Sequence, residues 1–393
     1  MKDFWEQPIE EKKINKKKII ISIVIAVVLM SIGVFLGVYF NNKDARNWID
    51  KNIFRKEVAQ DSAVSIKLKE NETSNIYAFN KYIGILNKNK FSIYGNNGNK
   101  ETELEIQVSN PIFDSANRFL VVAEEKGQKL YFISDKDIAW STEIEGNISQ
   151  VVVNKNGYVA VVITDTINKT VVSMYDQKGT LLFKSFQSST RASDVAISND
   201  NKYLAIAEID TSGTLIQSNV KVISIEKATT DSTNSVVGNY KSESDRLITN
   251  IEYQDKARLV CMYTDGINII ENDKDERLVS SQDKKMTFQS VELTNNVCIV
   301  EEKSTDLFTA DSVVNIISTD NRTTKEYTIN SVAKEIYTKG NIIALNLGAE
   351  VEFISTYGML VKRYVSSQEI TNLVVSDNIA GIIYRDKIEI INL

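Results

Sequence analysis

The sequence predicts an all-β chain: an eight-bladed β-propeller, with seven blades as the alternative, preceded by a single N-terminal transmembrane helix. Three observations predict it. An uncharged apolar run fills residues 19–40, and a strand–turn–strand phrase returns eight times after residue 62. The last of these repeats ends one strand short, at Leu393, while a spare strand stands ahead of the first.

Residues 1–18 form a short basic tail. Lys12, Lys13, Lys16, Lys17 and Lys18 crowd its end against the apolar run, which places this flank in the cytoplasm. Phe4 and Trp5 read as part of a disordered tail, with a dip into the bilayer surface or a partner contact as the alternatives.

Residues 19–40, IIISIVIAVVLMSIGVFLGVYF, are 22 positions without a charge. At about 1.5 Å per residue they cross a hydrocarbon core of roughly 30 Å. A buried core helix of a soluble domain would show a polar face, and this run shows none. A cleavable signal peptide would be shorter and would end in small residues, whereas this run leads into VYFNNK. The reading is an uncleaved signal-anchor. Lys43, Arg46, Lys51, Arg55 and Lys56 on the far flank argue for the opposite orientation. A long trailing domain, however, translocates largely regardless of its charge. The expected protein is single-pass in the plasma membrane, its amino terminus cytoplasmic and its propeller extracytoplasmic.

Residues 41–61 read as a juxtamembrane helical stalk lying at the interface, because Trp48, Ile49, Ile53, Phe54 and Val58 fall near one face of a helix over 45–58. From residue 62 helical spacing gives way to short runs of Val, Ile, Tyr and Phe cut by Asn, Asp, Gly, Ser and Lys, which is strand-and-turn punctuation. The clearest repeat is a strand ending in a turn: KFSIYG, KLYFIS, VVSMYD, VKVISI, GINIIEN, VVNIIS, EVEFIS and KIEIIN, starting between residues 90 and 387. A hairpin precedes each, as in AISNDNKYLAIAEI at 196–209. After each of the first seven comes a polar turn and one more strand, such as ETELEIQ or LVKRYVS.

The unit is therefore four strands, repeated eight times. Four antiparallel strands cannot bury both faces alone; radial stacking buries them against neighbours. A solenoid would do the same but needs capped ends. Here the eighth unit lacks its fourth strand, and residues 62–69, SAVSIKLK, supply a spare alternating one. If that strand pairs with the C-terminal blade, residues 62–393 close into a ring with no free sheet edge.

The turn SNDNKYLA at 198–205 resembles the first-hairpin signature of many bacterial propeller repeats. LYFISDKDIAWSTEI at 130–144 resembles the outer half of a quinoprotein-like blade, and the repeats are similar to WD40-like blades. Taken whole, the layout resembles a family of uncharacterised membrane-anchored propeller proteins of low-GC Gram-positive bacteria. That resemblance implies a fold and an anchor but no activity. Quinoprotein enzymes carry repeated Trp docking positions and an adjacent Cys pair that stacks on the cofactor. This chain has three Trp, of which only Trp140 lies in a blade, so no cofactor is expected.

Composition narrows the chemistry further. There is no His, which excludes Ser-His-Asp and Cys-His nucleophiles, His-ligated zinc and imidazole proton shuttles. Cys261 and Cys298 sit in apolar runs, RLVCMY and NVCIVE, and read as small buried hydrophobes, with a disulfide as the minor reading. Residues 41–393 hold 40 basic against 48 acidic residues without a basic stripe, so no nucleic-acid partner is expected. NDKDE at 272–276 and SDKD at 134–137 look like calcium loops but lack the bending Gly and read as solvated turns. No Gly-rich phosphate loop occurs.

No catalytic, cofactor-binding or metal site can be assigned, and the binding residues are unknown. The stretches 210–219, 226–246 and 301–312 read as long insertions, as suited to recognition as to mere decoration. The expected function is a binding or scaffolding module for an envelope protein, a wall polymer or a ligand, not an enzyme. The alternative is an ectoenzyme acting on glycans through paired carboxylates.

Overall fold

The computed structural model describes residues 16–68, 74–164, 166–243, 245–254, 257–280, 286–304 and 310–393. Phe4, Trp5, Lys12 and Lys13 lie outside them. The chain divides into two compact units, Met1–Glu57 and Val58–Leu393.

In the first unit, helix α1 (Lys16–Asn41) opens on three lysines and is apolar all round from Ile19 onward. Its segment Ile20–Asn41 is long and apolar enough to cross a membrane, and all of it but Tyr39 is exposed. At about 1.5 Å per residue its length matches a hydrocarbon core. Helix α2 (Lys43–Asn52) follows at once, started by Asn42, whose side-chain oxygen accepts the Ala45 N–H at 3.0 Å.

The expected helix over 45–58 is cut short at Asn52. The amides of Ile53 and Phe54 both turn back onto the Ile49 carbonyl, at 2.8 and 3.0 Å, and Arg55 is left-handed at φ +50°. The chain leaves the helix there. Ile49 is buried, whereas Trp48, Ile53 and Phe54 are exposed, so the foreseen apolar face is not a single packed stripe.

The second unit is a ring of eight sheets, seven of four strands and one, blade seven, of five, the short strand Glu57–Ala59 being the addition. Blade one shows the plan: Ser74–Phe79, Tyr82–Asn87, Lys90–Tyr94 and Lys100–Glu105 pair in sequence order. First strands neighbour one another around the ring, that of blade eight (Asn372–Val375) lying beside that of blade one. Second strands are buried on both faces, as in Phe119–Glu124 and Val159–Thr164. Fourth strands alternate, as in Asp137–Glu143, because one face meets water.

The core lies between blades rather than within them. Phe119, Val121 and Phe132 of blade two pack with Ile148, Val151 and Val161 of blade three. Trp140 stacks on Phe132 with 5.0 Å between ring centres and donates its indole N–H to the Gln177 carbonyl of blade three at 3.0 Å.

Blade eight is made of Asn372–Val375, Ile379–Ile383, Lys387–Asn392 and, from the other end of the domain, Val64–Lys67. Val64 pairs with Ile390, Ser65 with Glu389, Ile66 with Ile388 and Lys67 with Lys387. Ile66, Ile388 and Ile390 then pack with Ile83 and Ile85 of blade one, which seals the ring. The strand is shorter than the foreseen 62–69: Ser62 belongs to a 3-10 turn, Gln60–Ser62, and Lys69 lies outside the described residues.

The Asn-rich hairpin turns have a backbone cause. Asn80, Asn117, Asn201 and Asn295 each sit in the first turn of a blade at φ between 49° and 60°. Asn tolerates this left-handed region better than most residues.

Two foreseen insertions are shorter than the sequence suggests. Residues 226–246 contain helical turns and the fourth strand of blade four, Val236–Lys241. Within 210–219 the flanking strands run to Asp210 and resume at Gln217. Of 301–312, residues 305–309 lie outside the described residues and strand ends take up most of the rest. The strand character of these stretches was masked in the sequence by their Ser, Thr and Asn.

Candidate functional site

The first strands are less apolar than the strands behind them: IFDSA, ASDVAI, TNIEYQ and SVEL each place a carboxylate among hydrophobic residues. Brought together around the axis, they line a central cavity of about 360 Å³. Its walls include Asp114 of blade two, Asp194 of blade four, Glu252 of blade five, Glu292 of blade six and Lys339 of blade seven. Tyr77 of blade one lies close enough to Lys339 to interact with it electrostatically.

Two of these acids have structural work. Asp114 Oδ2 accepts the Val153 N–H of blade three at 2.7 Å. Asp194 accepts the Ile251 N–H of blade five at 2.7 Å and its neighbour Val195 N–H at 2.9 Å, and Gln150 donates to it as well. Each carboxylate ties its own first strand to that of the next blade. Gln254 makes a similar tie, donating to the carbonyls of Val291 at 2.9 Å and Asn296 at 2.7 Å in blade six. Burial pushes Asp194 up to about 6, outweighing those hydrogen bonds, and raises Asp114 too.

Glu252 and Glu292 are different. No hydrogen bond reaches either carboxylate among the described residues. Burial pushes Glu252 up to about 8, against the pull of Lys339 and with the help of Glu292, Asp114 and Asp194. Glu292 is raised for the same first reason, although its side chain meets the water of the channel; protein walls surround it there. Lys339 Nζ lies 3.8 Å from Asp114 Oδ1. Burial works against its charge, but Tyr77, Asp114, Glu292 and Glu252 together hold it above the ordinary lysine range. The channel thus offers a buried lysine, the Asp114 carboxyl group beside it, and a second carboxyl, Glu252, whose pKa burial lifts to about 8.

The stretches that look like calcium loops do other work. Asp135 takes the left-handed position of the turn between the third and fourth strands of blade two, 3.6 Å from Arg118, and Lys136 reaches Glu101 of blade one at 3.0 Å. Asn272 and Asp273 form the equivalent turn of blade five. Among the described residues no group of three or more His, Cys, Asp or Glu is arranged to hold a metal. Cys261 and Cys298 are buried and free, which corrects the minor disulfide reading: each packs as a hydrophobe in the second strand of its blade. The channel acids were not singled out from the sequence. With 52 acidic residues in the chain, spacing gave no signal beyond a carboxylate interrupting a first strand.

Residues 55–393 match the model of DUF5711, a family of unknown function. The chain belongs to that family. No curated protein matches it. Among solved structures, BamB from Moraxella catarrhalis is 15% identical with a TM-score of 0.50, covering 84% of this chain and 98% of that one. The dihydro-heme d1 dehydrogenase NirN, solved in complex with DHE, is 11% identical with a TM-score of 0.53, covering 84% and 76%. Sqt1 of Chaetomium thermophilum, solved bound to the N-terminus of the ribosomal protein L10, is 10% identical with a TM-score of 0.52, covering 84% and 100%. At these identities the likeness is one of fold.

Proposed function

We propose that this DUF5711 protein is a single-pass membrane protein whose propeller stands outside the cytoplasm and works as a binding or scaffolding module. Its partner would be an envelope protein, a wall polymer or a small ligand, and not a nucleic acid. The observation that carries this reading is helix α1, whose apolar surface from Ile20 to Val38 is left uncovered by protein. Uncovered apolar surface of that length is stable in lipid and costly in water. The five lysines between 12 and 18 support a cytoplasmic tail.

Binding is assigned to the axis of the ring. A rigid cavity with a few convergent polar groups is the usual form of a recognition site. Sqt1, on the same architecture, holds the terminus of another protein. The test is affinity purification of the full chain from solubilised membranes beside an E292Q/K339M variant. A partner retained by the native chain and lost from the variant supports the reading; equal retention by both moves the site off the axis.

Glu252 favours a second reading, an ectoenzyme acting on glycans. A carboxyl raised to about 8 with other carboxyl groups close by is the kind of acid pairing that glycoside hydrolysis uses. Release of reducing ends from wall glycan, lost in E252Q, would support it.

A further inference from the structure

We propose that the segment just beyond the membrane helix is a lipid-headgroup collar that binds anionic phospholipid, an inference that rests on reading α1 as a membrane span. Helix α2 begins two residues after α1 ends, so the segment starts at the depth where hydrocarbon gives way to headgroups. Residues 42–56 contain Lys43, Arg46, Lys51, Arg55 and Lys56 against only Asp44 and Asp50.

Four large apolar side chains of this unit stay uncovered around the same point: Phe40 and Trp48 are 60% exposed, Ile53 53% and Phe54 49%. Trp has an apolar body with one N–H donor and settles where hydrocarbon meets water. Arg55 is exposed, and Lys51, itself exposed, pairs with a half-buried Glu57 at 3.2 Å, a surface ion pair too weak to hold it from a phosphate.

A buried clamp fixes the direction of the collar. Tyr39, in the last turn of α1, donates its hydroxyl to Asp50 of α2 at 2.7 Å. Lys56 closes the triangle, 3.0 Å from Asp50 and 3.2 Å from the Tyr39 oxygen. The Tyr39 ring meets Phe35, Phe40 and Phe54. Asp50 is 1% exposed, so this polar knot is sheltered where α2 departs from α1. With α2 held to the end of the span, Trp48 and Phe54 cannot swing away into bulk water. The cations beside them attract anionic headgroups, an attraction that salt screens.

The test uses the full chain reconstituted into phosphatidylcholine vesicles with and without phosphatidylglycerol, some brominated near the headgroup end of the acyl chain. Subtracting the spectrum of W48F from that of the native chain isolates Trp48. The expected result is a blue-shifted Trp48 emission that brominated lipid quenches, more strongly when phosphatidylglycerol is present. K51Q/R55Q should lose the phosphatidylglycerol dependence yet stay in the vesicles, and high salt should do the same. Trp48 quenched by aqueous iodide and untouched by brominated lipid, in a chain that still floats with the vesicles after alkaline washing, overturns the collar alone. A chain washed off the vesicles overturns the collar and the membrane anchor together.

Discussion

Glu252 is the side chain whose ionisation the fold opposes most clearly among the channel acids. Its folded carboxyl titrates near 8, against an ordinary value of 4.5. An acid raised on folding binds its proton more tightly in the native state, so its contribution to stability is present at low pH. That contribution is lost as pH rises from 4.5 to 8. E252Q keeps the shape of the protonated form and removes the titration. The variant should melt with the native chain near pH 4.5 and outlast it at pH 8.5, by roughly 2–4 °C for each kcal/mol recovered. Parallel melting curves across that range would show that Glu252 ionises freely. Residues of this kind were illegible in the sequence, because a carboxylate in a first strand looks like any other until the ring gathers it. The turn asparagines were legible, because a left-handed position demands the same few residues wherever it recurs.

Between elements, the later blades share a buried clasp. Tyr327, on the fourth strand of blade six, donates to Glu352 on the third strand of blade seven at 3.0 Å. One blade on, Tyr364 donates to Glu389 of blade eight and meets the Tyr384 hydroxyl at 2.5 Å. The acids are answered from their own sheets, Glu352 by Arg363 at 2.7 Å and Glu389 by Lys387 at 2.5 Å. In register, Tyr327 opposes Val314 and Tyr364 opposes Val351; the matching position of the closing strand is Ile66, opposite Ile388. The clasp therefore gives way to an apolar seal at the seam. Removing the hydroxyl leaves a buried carboxylate short of a donor, at a cost of about 1–3 kcal/mol. Y364F should lose that much in denaturant unfolding, and Y364F/E389Q less than the two single losses added, since the pair is coupled. Strict additivity would show that the contact does not hold the blades. The repeated strands could be read from the sequence because their period is two and their turns recur. The end of α2 could not, because Ile53 and Phe54 fit a helical face and only the left-handed Arg55 shows that the chain has left it.

For the molecule as a whole, the ring closes with strands from both ends of its own domain, so the hydrogen-bonding edge of blade eight is covered. Eight repeats, the last one strand short, made this architecture readable, and the structure shows eight blades rather than seven. What the ring binds was not readable, because the side chains that line its channel come from distant repeats and meet only on the axis. The account's central claim is that the helix in front of the ring displays it on the outer side of a membrane. The direct measurement is labelling of Y357C with a membrane-impermeant maleimide in intact cells. Tyr357 is 69% exposed, and the two native thiols are buried and silent. The account predicts equal labelling before and after lysis, with a cysteine in the tail 1–18 labelled only after it. Labelling of Y357C that appears only once the membrane is broken would contradict it.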